Sequence, residues 1–238
     1  MTTQRGFTLI ELAIVLVIIT ILVGGLAVPL SAQIQARRIA ETKQTLQEAR
    51  EAILGYAMTH LADTAGKRYL PCPDTDGDGR ENRNPGTKDC VLSYGLMPWV
   101  DLGTAPQDAW GNRLRYAVIP QFANGVSGFS RGTALPDPLG VCSTHTCPTL
   151  SPDVASDVIF ALLSHGSNGW GARNINGNTL AAPSGVDELD NLDSNRIYIT
   201  RTHTKPDATN GEFDDLTTWI SHSQLIIRVC PTGSDCNP

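Results

Sequence analysis

No cysteine precedes Cys72, and basic residues are in deficit, with 18 Lys+Arg against 24 Asp+Glu. A formal charge of −6 argues against a surface built for polyanions, and no basic stripe interleaved with aromatics relieves it, so nucleic acid is not an expected partner. Absent too are a Gly-x-Ser-x-Gly elbow, an HExxH pair and a phosphate-cradling glycine loop, which leaves no recognisable catalytic motif and predicts a non-enzyme. Ser164 and His165 are adjacent, but neighbours in sequence rarely face each other usefully, and Ser164-His165-Gly166-Ser167-Asn168-Gly169 reads more simply as a strand running into a Gly/Asn turn. His60, His145, His203 and His222 are scattered. With 41% hydrophobic and 18% charged residues, the 238-residue chain is neither disordered, collagenous nor a multi-span membrane protein.

What is present is concentrated at the start. Residues 7–28 read FTLIELAIVLVIITILVGGLAV, an apolar run whose single charge is Glu11. As a helix it would be about 33 Å long, enough to cross a hydrocarbon core. Arg5 precedes it without a compensating acid, which places residues 1–6 in the cytoplasm and everything after Pro29 outside. A secretory signal would have a shorter apolar core with its cleavage site behind it. Here the small polar boundary, Arg5-Gly6, lies in front. A carboxylate next to lipid is costly unless paired. Cutting between Gly6 and Phe7 would create an amine one helical turn from Glu11, to be paired within the chain or with a neighbouring copy.

The heptapeptide Arg5-Gly6-Phe7-Thr8-Leu9-Ile10-Glu11, followed by uninterrupted apolar sequence, resembles the class III signal of type IV pilins and type II secretion pseudopilins. The resemblance covers about thirty residues and extends to the helix-weakening Gly24, Gly25 and Pro29. It implies cleavage by a prepilin peptidase between Gly6 and Phe7, N-methylation of Phe7, and a role for Glu11 in aligning subunits in a filament. Implied partners are other pilin or pseudopilin subunits, an inner-membrane assembly platform and the inner-membrane lipid itself. The implied fold is α+β: a long N-terminal helix, its first half transmembrane, packed on an antiparallel sheet. The expected organisation is a leader over 1–6, a membrane and assembly segment over 7–29, a periplasmic helical half over 30–66, and a β-rich body over 67–238.

The helix should continue, because no proline intervenes between Pro29 and Pro71. Ile39, Thr42, Leu46, Ala49, Ile53 and Tyr56 recur at spacings of three and four and form one stripe, with Gly66 as a stop. A helix from Phe7 to about Ala65 would be about 90 Å long. Beyond it, strands are expected over 113–119, 158–163, 196–200 and 224–229, and a short helix over 213–221 that turns Leu216, Trp219 and Ile220 inward. Residues 108–116 resemble a turn-plus-strand motif of pseudopilins, with Trp110 in the core and Gly111-Asn112 in the turn.

Six cysteines allow fifteen connectivities, and their spacing favours the local pairs Cys72–Cys90, Cys142–Cys147 and Cys230–Cys236, formed in an oxidising compartment. Cys142 and Cys147 with His145 would be three zinc ligands lacking a fourth, so a disulfide is the expected state. Asp74-Thr75-Asp76-Gly77-Asp78-Gly79 matches the opening of a calcium loop, yet position twelve is Pro85 rather than a glutamate. Glu81, Asn82 or Asp89 would have to complete such a site; otherwise Asp74, Asp76 and Asp78 form a solvated acidic turn. No other cofactor is expected.

Cleavage would remove six of the 238 residues and leave 232. That is longer than expected of a major subunit of the resembled family and points to a minor one, while retention of Glu11 weighs against the extreme tip. The competing expectation is a membrane-tethered periplasmic binding protein or adhesin, with or without calcium.

Overall fold

The computed structural model describes residues 6–135, 137–148, 151–193, 195–234 and 236, with the side chains of 25–29 excepted. Residues 1–5 of the expected leader, Arg5 among them, lie outside this set. The chain divides into two compact units, residues 1–40 and 41–238.

In the first unit, residues 6–8 are non-helical and α1 begins at Leu9. Helix α1 is assigned over Leu9–Thr59 and continues through Pro29, so the proline does not end it. It stops short of the Gly66 expected from sequence. Its aliphatic side chains from Leu9 to Val23 are exposed. Among the described residues no helix is long and apolar enough to cross a membrane; described side chains of the apolar run end at Gly24.

In the second unit, the later part of α1 follows the predicted stripe. Thr42, Leu46, Ala49, Ile53 and Tyr56 are buried, joined by Leu54 and Ala57, while Glu41, Lys43, Gln47 and Glu48 face solvent. The stripe packs on a six-stranded sheet: β1 (Tyr94–Leu96), β2 (Arg115–Val118), β3 (Leu139–Cys142), β4 (Ala155–Ser164), β5 (Ile197–Ile199) and β6 (Leu216–Ser221). Strand β4 organises it. Its residues Val158–Leu163 are buried on both faces, and its ten residues are long enough to pair with β3 and β2 in succession along one edge. Along the other edge runs β6, antiparallel from Val158↔Ser221 to Ser164↔Leu216. Strand β1 adds to β2 antiparallel, and β5 pairs with β3 in parallel.

Two of the three outer strands, β6 and β5, are blunted by side chains. Arg50 Nε of α1 donates to the Trp219 carbonyl of β6 at 3.1 Å, and Gln47 Nε2 donates to Thr218 Oγ1 at 3.3 Å. On β5, Asn191 takes the place of a neighbouring strand: its Oδ1 accepts from Ile199 N at 2.7 Å and its Nδ2 donates to Ile199 O at 3.2 Å. Unpaired strand edges invite association, and these contacts occupy part of each.

Two expected elements exchange identity. Residues 213–221 do not form a helix; Leu216–Ser221 is β6, with burial alternating from Thr218 to Ile220. Thr217, Thr218, Trp219 and Ile220 are β-branched or aromatic, residue types that suit a half-buried pleated surface. Residues 224–229 do not form a strand; they belong to helix α5 (His222–Val229). Its start is a capping box, in which Ser221 Oγ accepts from Gln224 N and Gln224 Oε1 accepts from Ser221 N. Strands β1 and β3 and the short helices α2 (Trp99–Leu102), α3 (Pro120–Ala123) and α4 (Val186–Asp190) have no counterpart in the expectations.

Disulfides join Cys72 to Cys90, Cys142 to Cys147 and Cys230 to Cys236, and no cysteine is free among the described residues. Trp110 is half-buried beside a tight turn, where Asp108 Oδ1 accepts from Trp110 N and Asn112 N.

Candidate functional site

At the N-terminal end, Gly6 and Phe7 are exposed in non-helical backbone immediately before α1. Thr8 and Glu11 then form a reciprocal cap. Thr8 Oγ1 accepts from Glu11 N at 3.3 Å, and Glu11 Oε2 accepts from Thr8 N and Thr8 Oγ1, each at 2.8 Å. A Thr-x-x-Glu box fixes where a helix begins. Here it leaves the Gly6–Phe7 bond outside the helix, with the carboxylate held at the exposed helix start. The amine partner anticipated for Glu11 exists only after cleavage; in the uncut chain the cap occupies the carboxylate.

The Asp74–Gly79 loop is an amide-filled turn. Asp74 is buried, its Oδ1 accepting from Asp76 N and Gly77 N and its Oδ2 from Gly79 N at 2.8 Å. Burial pushes its carboxyl above the usual aspartate range, while the amides of Gly77 and Gly79 oppose the rise. Asp76 and Asp78 are exposed and accept from the next amides along the loop. The three carboxylates lie within 4.8 Å of one another. Of the residues expected to complete a calcium shell, Glu81 and Asp89 bond outside the loop, whereas Asn82 bonds to the loop itself, its Nδ2 donating to Asp76 Oδ2. Glu81 accepts from Tyr56 Oη and Cys72 N and pairs with Arg83. Asn82 Oδ1 accepts from Thr75, and Asp89 accepts from Asn124. Arg173 also donates to the Asp76 carbonyl, bringing a fixed cation to the loop.

A second acidic cluster was not evident in the sequence. Glu188 on α4 and Asp214 and Asp215 ahead of β6 are all buried, with carboxylate oxygens within 4.8 Å of one another. Asp214 Oδ2 accepts from Ser167 Oγ and Asn168 N, and Glu188 Oε1 accepts from Asp214 N at 2.8 Å. Asn168 Nδ2 bridges to Glu188, and Asn191 Nδ2 donates to Asp215 Oδ2 at 2.8 Å. Asp214 Oδ1 has no hydrogen-bond partner among the described residues, and neither ring nitrogen of the fully buried His165 has one. His165 Nδ1 stands 3.4 Å from Asp215 Oδ1. Burial, and then the charge of Asp215, push the Glu188 carboxyl up to about 8.

No lysine or arginine ion-pairs with these three acids among the described residues. Buried carboxylates without a cation must hold protons or recruit one. The oxygen-only donors and the unpartnered Asp214 Oδ1 suit a hard cation such as calcium, whose ligand oxygens lie 2.3–2.6 Å from the ion.

Adjacent groups hold the cluster in place. Asp187, next to Glu188, accepts from His145 N and faces His145 Nδ1 at 2.7 Å and Arg201 Nε at 2.6 Å. Burial opposes ionisation of Asp187, but the His145 hydrogen bonds and Arg201 outweigh it and hold its carboxyl below the ordinary range. Gly166 adopts φ +58°, and a Cβ there would collide with Asp214 O and Oδ1. Gly166→Ala should therefore destabilise the body by at least about 2 kcal/mol, read as a lower urea midpoint with an unchanged slope.

Ser164 and His165 do not form a catalytic pair. Ser164 Oγ donates to Asp108 Oδ2 at 2.7 Å, while His165 turns toward Asp215. Burial raises the Asp108 carboxyl, although its hydrogen bonds, including that from Ser164, pull the other way.

No curated protein and no solved structure matches the chain. A family model does: residues 1–27 match the one described as prokaryotic N-terminal methylation motif. The chain therefore carries, over those residues, the class III prepilin signal of type IV pilins and pseudopilins.

Proposed function

We propose that this chain is a non-enzymatic filament subunit, a minor pilin or pseudopilin of a type IV pilus or a type II secretion machine. The observation that carries the reading is the N-terminal signal joined to its geometry: an exposed Gly6–Phe7 bond outside a capped helix, followed by a run of exposed aliphatic side chains. In this reading the apolar half of α1 crosses the inner membrane, with residues 1–6 in the cytoplasm and the body in the periplasm. A prepilin peptidase removes 1–6, and Phe7 is N-methylated. The assembly platform then draws the helix from lipid into a bundle of sister helices. Apolar contact with sisters replaces contact with lipid, and the carboxylate of Glu11 meets a newly made amine, fixing the stagger.

Mass spectrometry of the mature protein tests this directly. The expected chain begins at methylated Phe7; a protein still starting at Met1, or cut downstream of Val28, would overturn the reading.

The second reading, a tethered binding protein or adhesin that uses calcium, is favoured by one observation, the buried cluster of Glu188, Asp214 and Asp215, which no lysine or arginine ion-pairs among the described residues. A cation there stiffens the body and is compatible with either role. In this reading the buried cluster takes calcium in preference to the Asp74, Asp76 and Asp78 loop, although both groups bring three carboxylates within reach of one ion.

A further inference from the structure

Helix α4 leaves part of its surface unused. Val186 and Leu189 are exposed although both are apolar, and with Leu192 they floor an open groove of about 560 Å³. His145, Asp190 and Asp193 complete its lining. Neither Asp190 nor Asp193 is ion-paired to a lysine or arginine among the described residues. An apolar floor with an acidic rim selects for a partner that is apolar at its centre and cationic at its edge.

Such a surface exists on the chain itself, in residues 30–38 of α1. Leu30, Ile34, Arg37 and Arg38 stand at positions i, i+4, i+7 and i+8, so they share one helical face, and all four are exposed. Arg37 and Arg38 make no hydrogen bond or ion pair among the described residues. An anionic lipid surface would attract these arginines but would be repelled by Asp190 and Asp193, so lipid does not account for both halves.

We infer that the α4 groove of one copy receives the 30–38 face of α1 from a second copy, with Leu30 and Ile34 against Val186 and Leu189 and the arginines against Asp190 and Asp193. The two surfaces differ, so the contact is head-to-tail, which is not the two-fold contact of a closed dimer and suits neighbouring places in a filament. The inference rests on the filament reading and adds to it a residue-level subunit contact.

The test uses the full chain assembled into filaments, with Leu189→p-benzoylphenylalanine as a photo-crosslinker and peptide mapping of the product. The expected crosslink joins position 189 to residues 30–38 of another copy. Asp190→Arg with Asp193→Arg, or Arg37→Asp with Arg38→Asp, should each lower the crosslink yield about tenfold, and the combined exchange should restore it to within about twofold. Melting temperatures of the charge variants, matched to the parent, show that the body is intact. Filaments whose crosslinks map elsewhere, or a combined variant no better than its parents, overturn the contact while leaving the filament reading intact. Unaltered chain that is never recovered in filaments overturns the filament reading, and the contact with it.

Discussion

Glu11→Ala will insert into the membrane as well as the parent chain but will be recovered in sheared filaments about a hundredfold less. Two contributions separate in this variant. One is the reciprocal cap, in which Glu11 Oε2 accepts from Thr8 N and Thr8 Oγ1. Losing a cap costs about 1 kcal/mol of helix stability and shifts the helix start without preventing insertion. The other is the counter-ion. Once Gly6–Phe7 is cut, each subunit brings an amine into the apolar bundle, and a buried charge deprived of its partner costs about 3 kcal/mol, a factor of about a hundred. Glu11→Gln keeps an acceptor for the cap but has no charge, so it should fail nearly as badly as Ala. Thr8→Ala breaks the cap and keeps the charge, so it should lose only a few-fold. Equal recovery of all four chains in filaments would mean that the helix is a tether and that the carboxylate plays no part in assembly.

The legibility of this molecule divides along the range of its interactions. The stripe from Thr42 to Tyr56 is local and periodic, and the sheet buries those residues as the spacing demands. Residues 115–118, 155–164 and 197–199 coincide with expected strands because β-rich runs there lie between turns. The three disulfides join neighbours in sequence, where short loops make pairing cheap. Failure begins where one short segment can satisfy two periodicities. Residues 213–221 fit a helix by apolar spacing, but β4 offers a free edge on which Thr217–Ile220 pair as β6, and tertiary pairing decides. Residues 224–229 look strand-like until the Ser221–Gln224 box is weighed as a helix start.

The candidate cation site shows the same division. The alternating aspartates of the 74–79 loop are conspicuous because they are consecutive, yet the structure spends them on backbone amides. Glu188 is separated from Asp214 by a long stretch of chain, and Asp214-Asp215 reads as the acidic start of a helix. Only the packing of α4 beside the 164–169 turn and the entry to β6 brings these three acids together. A cluster of that kind has no signature in sequence spacing.

Calcium should therefore raise the melting temperature of the processed body through Glu188, Asp214 and Asp215, and not through Asp76 and Asp78. At a concentration about a hundred times the dissociation constant, a cation bound only by the folded state adds about 2.7 kcal/mol. For a domain of this size that amounts to about 5–10 °C relative to chelated protein. Sites of this class outside the cytoplasm bind at about 0.1–1 mM, so tens of millimolar calcium approach that limit. Asp76→Asn with Asp78→Asn should keep the whole shift, because those carboxylates are exposed and the buried Asp74 is already saturated by amides. Glu188→Gln should behave differently. Its amide oxygen can still accept from Asp214 N, and the uncharged amide replaces a carboxyl that burial already favours in its protonated form, so the chelated variant should melt about as high as the chelated parent. It should also gain less than about 2 °C from calcium, since one of three anionic ligands is gone. A full shift in Glu188→Gln would move the cation out of the cluster. No shift in any chain would mean that protons alone balance these acids.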